Sequence, residues 1–281
     1  MTSGMNVPTG ATQLTAVIGS PVRHSLSPTL HNAAFAAAGR DWVMLAFEVA
    51  PGSGAAAVDA MRTLGVRGLA VTMPHKSDVA AAVDVVDPAA EALGSVNTVV
   101  LRDDGTTLGA STDGAGFVAS LLSHGIDPFG ARVAMIGAGA GARAVIDALA
   151  RAGVADLAIV NRTAENARRA AQLAAQARTG GPDDIRNADI VVNATPIGMG
   201  TLELPCDPTL LGPHQIVADL VYHPLETALL RAARDAGARA VDGLGMLIHQ
   251  AVLQHELWTG ERPDPVVMRA ATQGELSRRH G

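Results

Sequence analysis

Short apolar runs alternate with alanine-rich stretches along almost the whole chain. Runs such as Val43 to Val49 and Arg132 to Ile136 have the length and branched content of buried strands, and the stretches between runs have helical length. The alternation is typical of an α/β protein with parallel sheets, because a parallel strand needs a crossover helix to return to its sheet. Aromatic residues make up only 2% of the chain, so we expect a core of Ala, Val, Leu and Ile.

Local signals predict where several helices begin and end. Ser27 is expected to cap the first helix of the chain, and Gly65 and Gly153 are expected to end two others. The alanine-rich sequence predicts one helix over 164–177. The helical tail from Gly245 onward is too short to be a domain alone, and we expect it to pack on the first unit.

Composition excludes several classes of protein. The formal net charge is −6 and no basic block is present, so a nucleic-acid partner is not expected. Cys206 is the single cysteine, which allows neither an intrachain disulfide nor a cysteine metal site. No signal peptide or apolar run of membrane-spanning length is visible. We expect a cytoplasmic protein with no membrane or metal partner, as a monomer or homodimer.

A glycine- and alanine-rich turn follows the strand that ends at Ile136 and opens a helix. Its residues are Gly137, Ala138, Gly139, Ala140, Gly141 and Ala142. Such a turn lets the backbone approach a pyrophosphate, which then lies at the positive end of the helix. Because the chain is rich in alanine, the turn alone is a weak signal; the context of strand, turn, helix and second strand makes it a dinucleotide-binding prediction.

The second strand of this unit is followed by Asn161, Arg162 and Thr163, where an NAD site usually places an acidic residue for the ribose hydroxyls. Arg162 could hold a 2′-phosphate through charge-assisted hydrogen bonds, each contributing on the order of 1.5–3 kcal/mol. The alternative is a solvated loop arginine. The sequence favours NADP, with NADPH as its reduced form.

Only one of the 21 Lys and Arg residues is a lysine, Lys76. An ammonium can release its proton near neutral pH whereas a guanidinium stays charged, so Lys76 is the first candidate for a general acid or base. Polar clusters lie at predicted strand ends in the first unit, where ligands of open α/β sheets collect. They are Ser25 with Ser27, Thr72 to Lys76, Ser95 to Thr98, and Ser111 to Gly114. Each has a structural alternative as a helix cap or a turn.

Taken in order, the motifs of the chain resemble those of the shikimate dehydrogenase family from Val17 to about Gly260. The motifs are Ile18 to Pro21 leading into His24 to Pro28, Val71 to Lys76, Gly94 to Thr98, Thr112 to Gly114, the Gly137 turn, Asn161 to Thr163, Asn193 to Pro196, Asp219 to Tyr222, and Asp242 to Leu247 ending at Gln250.

The resemblance implies an α/β fold in which an N-terminal substrate domain is completed by C-terminal helices and a Rossmann NADP-binding domain lies between them. The substrate domain would comprise residues 1–112 and 243–281, and the Rossmann domain residues 113–242. The implied enzyme is an NADP-dependent oxidoreductase that reversibly reduces 3-dehydroshikimate to shikimate, in the shikimate pathway toward chorismate and the aromatic amino acids.

The resemblance also implies the roles of individual residues. Lys76 and Asp113 would form the catalytic pair. The substrate would be held by Ser25, Ser27, Thr72, Asn97, Tyr222 and Gln250. The cofactor would be bound by Gly137, Ala138, Gly139, Ala140, Gly141, Asn161, Arg162, Thr163, Thr195, Leu220, Gly243 and Met246.

Three residues depart from the family pattern. Ala70 and Ser111 stand where the family often has asparagine, which leaves the hydroxyl preference of the pocket open. Asn166 stands where a second basic residue commonly assists the 2′-phosphate, and Arg168 could substitute for it. Two alternatives therefore remain: a quinate/shikimate dehydrogenase that uses NAD, and a catalytically silent NADP-binding regulatory protein.

Overall fold

The computed structural model describes residues 7–280 and contains two six-stranded sheets. The strands are β1 Gln13–Gly19, β2 Trp42–Glu48, β3 Gly68–Val71, β4 Val85–Val86, β5 Thr98–Leu101, β6 Thr107–Ala110, β7 Arg132–Ile136, β8 Asp156–Val160, β9 Ala177–Thr179, β10 Ile190–Asn193, β11 Ile216–Asp219 and β12 Arg239–Val241. The helices are α1 Ser27–Ala37, α2 Gly54–Leu64, α3 Lys76–Ala80, α4 Pro88–Leu93, α5 Asp113–Ser123, α6 Ala140–Arg151, α7 Ala164–Ala171, α8 Pro182–Asn187, α9 Ala228–Asp235, α10 Leu244–Thr259 and α11 Pro265–His280. A 3₁₀ turn covers Pro208–Leu210.

The chain divides into two compact units, and the first comprises the chain up to Thr112 together with the chain from Ala251 onward. Its strand order is β2-β1-β3-β5-β6-β4. The pairs β1–β2 and β1–β3 are parallel, but β5 runs antiparallel to both β3 and β6. The prediction of parallel sheets is therefore wrong for this unit, whose sheet is mixed.

The mixed sheet has a local cause. β5 and β6 are joined by a short loop in which the N–H of Arg102 donates to the carbonyl of Thr106 over 2.9 Å. Gly105 has φ +84°, a conformation that suits glycine, and Asp104 Oδ1 accepts from both the N–H and the hydroxyl of Thr106. So short a connection can only join antiparallel neighbours.

The second unit comprises residues 113–250, so its boundary falls within α10. Its sheet is parallel throughout, with the order β12-β11-β10-β7-β8-β9. This is the doubly wound dinucleotide-binding order, and its direction reverses between β7 and β10. The predicted combination of an α/β unit with a Rossmann unit is confirmed.

Both cores consist mainly of small and branched aliphatic side chains, as the composition predicts. In the second unit the strand residues Val133 and Met135 pack against Val145 and Leu149 of α6. The first unit also holds an apolar cluster that contains Phe35 and Trp258. The tail prediction is confirmed from Ala251 onward, because α11 packs on α1.

Two local predictions are wrong. Ser27 is the first residue of α1 rather than its cap; its N–H donates to Ser25 Oγ over 3.2 Å. The helix predicted over 164–177 ends at Ala171, and Ala177 begins β9, which pairs with β8. Alanine has high helix propensity, so this segment carries no stop signal, and strand pairing overrides the propensity.

Within residues 7–280, no helix combines the length and the apolar character needed to cross a membrane. The same residues contain no cluster of three or more His, Cys, Asp or Glu side chains that could hold a metal ion.

Candidate active site

The register of the first sheet brings several predicted site residues to one edge. The N–H of Thr72, just after β3, donates to Ile18 O of β1 over 3.0 Å. Because β5 runs antiparallel to β3, the residue before its start lies beside the end of β3: Asn97 O accepts from Val71 N over 2.7 Å. Asn97 N in turn donates to Ala110 O, at the end of β6, over 3.1 Å.

Lys76 is held close to this edge by its backbone. It begins α3, and its carbonyl accepts from Val96 N over 3.0 Å, one residue before Asn97. The preceding residue, His75, is fully buried, and its Nε2 lies 2.8 Å from Val49 O, after β2. The Lys76 side chain is half-buried. An ammonium group on a short, anchored helix is well suited to transfer a proton to a ligand at this edge.

Ser25 and Ser27 lie in the segment that follows the carboxyl end of β1. Ser25 N donates to Val22 O over 2.9 Å, and the Arg279 guanidinium donates to His24 O over 2.8 Å. Ser25 is half-buried and Ser27 is buried. The turn is therefore held from two sides, and its hydroxyls have the chemistry to bind a carboxylate.

The Asn97 side chain is buried in a group of hydroxyls. Its Oδ1 accepts from Thr98 Oγ1 over 2.8 Å and from Thr112 N over 2.9 Å, and its Nδ2 donates to Thr112 Oγ1 over 3.0 Å. Asp113 follows Thr112 directly in the chain and begins α5. The side chain of Ala70, the first departure from the family pattern, belongs to the apolar cluster that contains Trp258.

The glycine turn of the second unit divides into positions that the fold requires and one that it does not. Gly137 has φ +114°, and a Cβ there would lie 3.0 Å from the backbone of Ala194. Ala142 is fully buried in the core. A Cβ at Gly139 would meet nothing within 4 Å, so packing does not explain this glycine. Open space over a helix N-terminus fits the close approach of a pyrophosphate.

A cavity of about 480 Å³ adjoins this turn. It is lined by Ala138, Gly139, Ala140, Arg143, Asn166, Arg169, Ala170, Gln172 and Leu173. Arg143 comes from α6 and Arg169 from α7, so two helices each supply a cation. Arg168 does not line the cavity and pairs with Glu165 over 3.0 Å, and Arg162 does not line it either. Two guanidinium groups beside a glycine turn can bind a phosphorylated ribose.

The carboxyl ends of β10 and β11 are fixed by a buried polar pair. Asn193 Nδ2 donates to Asp219 Oδ1 over 2.9 Å, and Asp219 Oδ2 accepts from Thr227 Oγ1 over 2.7 Å. Burial raises the pKa of the Asp219 carboxyl, opposed by the hydrogen bonds from Thr227, Val221 and Asn193. Asn193 Oδ1 accepts from Thr195 Oγ1 over 2.7 Å. The pair holds Thr195 and Leu220 at the end of the sheet where the glycine turn lies.

Gly243, Met246 and Gln250 lie in or next to the first turns of α10. A Cβ at Gly243 would lie 2.6 Å from Leu220 O, so only glycine allows this close approach. Met246 packs on the core cluster of the unit, and Gln250 is buried, with Nε2 donating to Leu247 O over 2.8 Å. Tyr222, after β11, is half-buried.

Sequence reasoning missed Arg143 and Arg169. A signal was available for Arg169, because it lies three residues after Asn166 in α7 and residues three apart share a helical face. Arg143 follows the glycine turn directly and could have been included with it. Gln254 was also missed, and it has no such signal because it stands in an apolar helix.

The parallel sheet with its open glycine turn and paired cations defines a dinucleotide-binding α/β protein. Family models agree: residues 17–99 match the shikimate dehydrogenase substrate binding domain, residues 122–198 match shikimate / quinate 5-dehydrogenase, and residues 243–273 match the shikimate 5'-dehydrogenase C-terminal domain. A shikimate dehydrogenase (NADP(+)) of Moorella thermoacetica is 45% identical over 271 residues, 92% of each chain. The chain belongs to the shikimate dehydrogenase family.

Solved structures support the same relationship. Shikimate 5-dehydrogenase from Thermus thermophilus, in complex with NADP(H) and shikimate, has a TM-score of 0.89 and 34% identity, covering 94% of this chain and 99% of that one. Quinate dehydrogenase from Corynebacterium glutamicum, in complex with NAD, has a TM-score of 0.87 and 35% identity, with the same coverage. Shape alone therefore does not separate the two activities.

Proposed function

We propose that the protein is an NADP-dependent shikimate dehydrogenase that reversibly reduces 3-dehydroshikimate to shikimate. One observation carries the cofactor choice: the cavity beside the glycine turn is lined by Arg143 and Arg169 rather than by an acidic residue. Two curated relatives, each 45% identical to this chain, are named for NADP, which supports this choice. The reaction belongs to the shikimate pathway.

The cofactor would be held by chemically distinct groups. The backbone of the glycine turn (137–141) suits the pyrophosphate, and Asn161, Arg162 and Thr163 suit the adenosine ribose. We add Arg143 and Arg169 as ligands of the 2′-phosphate. These two cations from neighbouring helices would replace the basic residue that the family commonly has where this chain has Asn166. Thr195, Leu220, Gly243 and Met246 would lie along the nicotinamide half. When bound, NADPH supplies the hydride that reduces the ketone carbon.

The substrate would be held by uncharged polar groups. Ser25 and Ser27 would bind its carboxylate, and Thr72, Asn97, Tyr222 and Gln250 would bind its hydroxyls or frame its ring. The N-terminal residues completed by the C-terminal helices would form the substrate domain, and of the six residues named only Tyr222 lies outside it. A monomeric or homodimeric state and a cytoplasmic location remain predictions.

Lys76 would act as the general acid. Negative charge grows on the carbonyl oxygen as the ketone is reduced, and the Lys76 ammonium gives that oxygen a proton; in the reverse direction the amine takes the hydroxyl proton. Asp113 would keep the ammonium oriented and accept a hydrogen bond from the adjacent substrate hydroxyl. In this scheme the ammonium and the carboxylate have complementary roles.

Initial rates with shikimate and with quinate, each with NADP, test this function. We expect turnover of shikimate with kcat/KM at least about tenfold above that for quinate. Preference for quinate would assign the protein to the catabolic branch of the family. Absence of turnover with both compounds, together with tight NADP binding, would support the silent regulatory protein.

A further inference from the structure

Helix α10 places a buried carboxamide behind the substrate edge of the first unit. Gln254 is 2% exposed, and its Nε2 lies 3.1 Å from Thr98 Oγ1 and 3.3 Å from Asn97 O. A buried amide is costly unless its groups are hydrogen-bonded. One acceptor belongs to Thr98, the first residue of β5, and the other to Asn97, which precedes it. Gln254 therefore contacts a predicted substrate residue from the buried side of the sheet edge.

The other end of this carboxamide is fixed by a histidine. Gln254 Oε1 lies 3.3 Å from His31 Nε2. An amide oxygen only accepts, so His31 donates from Nε2. His31 is fully buried. Burial lowers the pKa of its ring to about 3, with a smaller lowering by the nearby His255, so the ring stays neutral near neutral pH. The orientation of the Gln254 amide is therefore determined by its surroundings.

That orientation determines the direction of the next hydrogen bond. Thr98 Oγ1 accepts from Gln254, so its single proton is directed to Asn97 Oδ1, 2.8 Å away. Thr112 N donates to the same oxygen over 2.9 Å. With Oδ1 facing two protein donors, the Asn97 amide cannot flip without losing both bonds, and its Nδ2 remains the donating side.

We propose that Gln254 is a positioning residue which, through Thr98, fixes the Asn97 amide so that its nitrogen donates to an oxygen of the substrate. This inference rests on the proposed function, in which Asn97 binds a substrate hydroxyl. Gln254 is not needed merely to attach α10, because Trp258 Nε1 on the same helix donates to Val99 O over 3.0 Å.

The test compares variants that each remove one hydrogen-bonding side chain from the series Gln254, Thr98 and Asn97. Gln254→Met keeps the length of the side chain and removes its hydrogen bonds; we expect KM for shikimate to rise about tenfold, with kcat and KM for NADP within about twofold. Thr98→Val is expected to raise KM for shikimate by at least as much. Thr98→Ser keeps the hydroxyl and should restore most of the affinity.

Thr272→Val is the matched control. Thr272 is fully buried in α11, and its hydroxyl donates to Met268 O over 2.7 Å, so this variant loses a buried hydroxyl elsewhere in the same unit. We expect a lower melting temperature and an unchanged KM. If Gln254→Met does not fold, the proposal is decided by KM for shikimate in Thr98→Val compared with Thr98→Ser.

The outcomes separate this inference from the function on which it rests. An unchanged KM for shikimate in Gln254→Met, with an active wild type, would overturn the positioning role and leave the function standing. Equal losses in kcat, KM for shikimate and KM for NADP would indicate a general structural role and overturn it as well. A wild type that does not turn over shikimate would overturn both.

Discussion

In the first unit the polar groups at the sheet edge are tied to one another, whereas in the second unit the groups around the glycine turn face open space. Asn97 makes hydrogen bonds to Thr98 and Thr112. A methyl group placed on Gly139 would have no neighbour within 4 Å, and Arg143 and Arg169 line a cavity beside it.

The difference reflects the two ligands. The ring hydroxyls of the proposed substrate are uncharged and are recognised by direction, so the donors and acceptors that bind them must be fixed before binding. A dinucleotide carries phosphate charge, which cations and a helix N-terminus attract without such exact orientation. We therefore expect changes in the first unit to affect the substrate and changes around the cavity to affect the cofactor.

The largest effect is expected from Lys76→Ala. Loss of the general acid should lower kcat by roughly 10²–10⁴-fold. The affinity for NADP should be unchanged, because the cavity lies in the other unit. Steady-state rates combined with a cofactor titration check both parts. Turnover close to that of the wild type would exclude Lys76 as the proton donor.

Arg169→Ala should weaken NADP binding about 10–100-fold, the loss expected for a charge-assisted hydrogen bond. NAD lacks the 2′-phosphate, so its Kd should stay within about twofold. Arg168→Ala is the matched control, because this neighbouring arginine pairs with Glu165 and does not line the cavity. Titration of each variant with both dinucleotides provides the comparison; equal effects of the two substitutions would argue against a specific contact.

Gly139→Ala and Gly137→Ala should separate binding from folding. A methyl group at Gly139 meets no protein atom, so we expect an unchanged melting temperature and a loss of about tenfold in affinity for NADP and NAD alike. Gly137→Ala should lower the melting temperature, because φ is +114° and the new Cβ would crowd Ala194. Normal NADP affinity in a stable Gly139→Ala would show that the pyrophosphate lies elsewhere.

A smaller effect concerns acid stability. Burial lowers the pKa of His255 to about 4, with a further lowering by Arg40 and an opposing effect of Glu261. The unfolded chain binds this proton below about pH 6.5, so the free energy of unfolding is highest above that pH and falls toward pH 4. His255→Phe should reduce this slope by up to about 1.4 kcal/mol per pH unit.

Urea denaturation at several pH values between about 4.5 and 7.5 measures the slope. The difference between wild type and His255→Phe at the highest pH reports packing alone, since the histidine is neutral there in both states. Parallel curves for the two proteins would contradict a proton uptake by His255 on unfolding.

Much of the fold was predictable, because periodicity and turn residues are local. The bounds of β7 are those of the apolar run from Arg132 to Ile136, and β2 begins and ends within one residue of the run from Val43 to Val49. The end of α7 and the strand β9 were not predictable, because pairing with β8 is a tertiary interaction that an alanine-rich segment does not signal.

The candidate site was predictable where a residue type carries its own chemistry, as with Lys76 and the glycine turn. The orientation of the site's side chains was not predictable. In the sequence, nothing distinguishes Gln254 from its neighbours in a largely apolar helix. Only the packing of α10 on β5 brings its side chain to Thr98. Likewise, which of Arg168 and Arg169 faces the cavity depends on the start and the rotation of α7.

The most direct test of the cofactor assignment is kcat/KM for shikimate oxidation by the wild-type protein with NADP and with NAD. Two cations around a 2′-phosphate predict a preference for NADP of about 100-fold or more, since each bond of this kind contributes on the order of 1.5–3 kcal/mol. Equal efficiency with the two cofactors, or a preference for NAD, would contradict it.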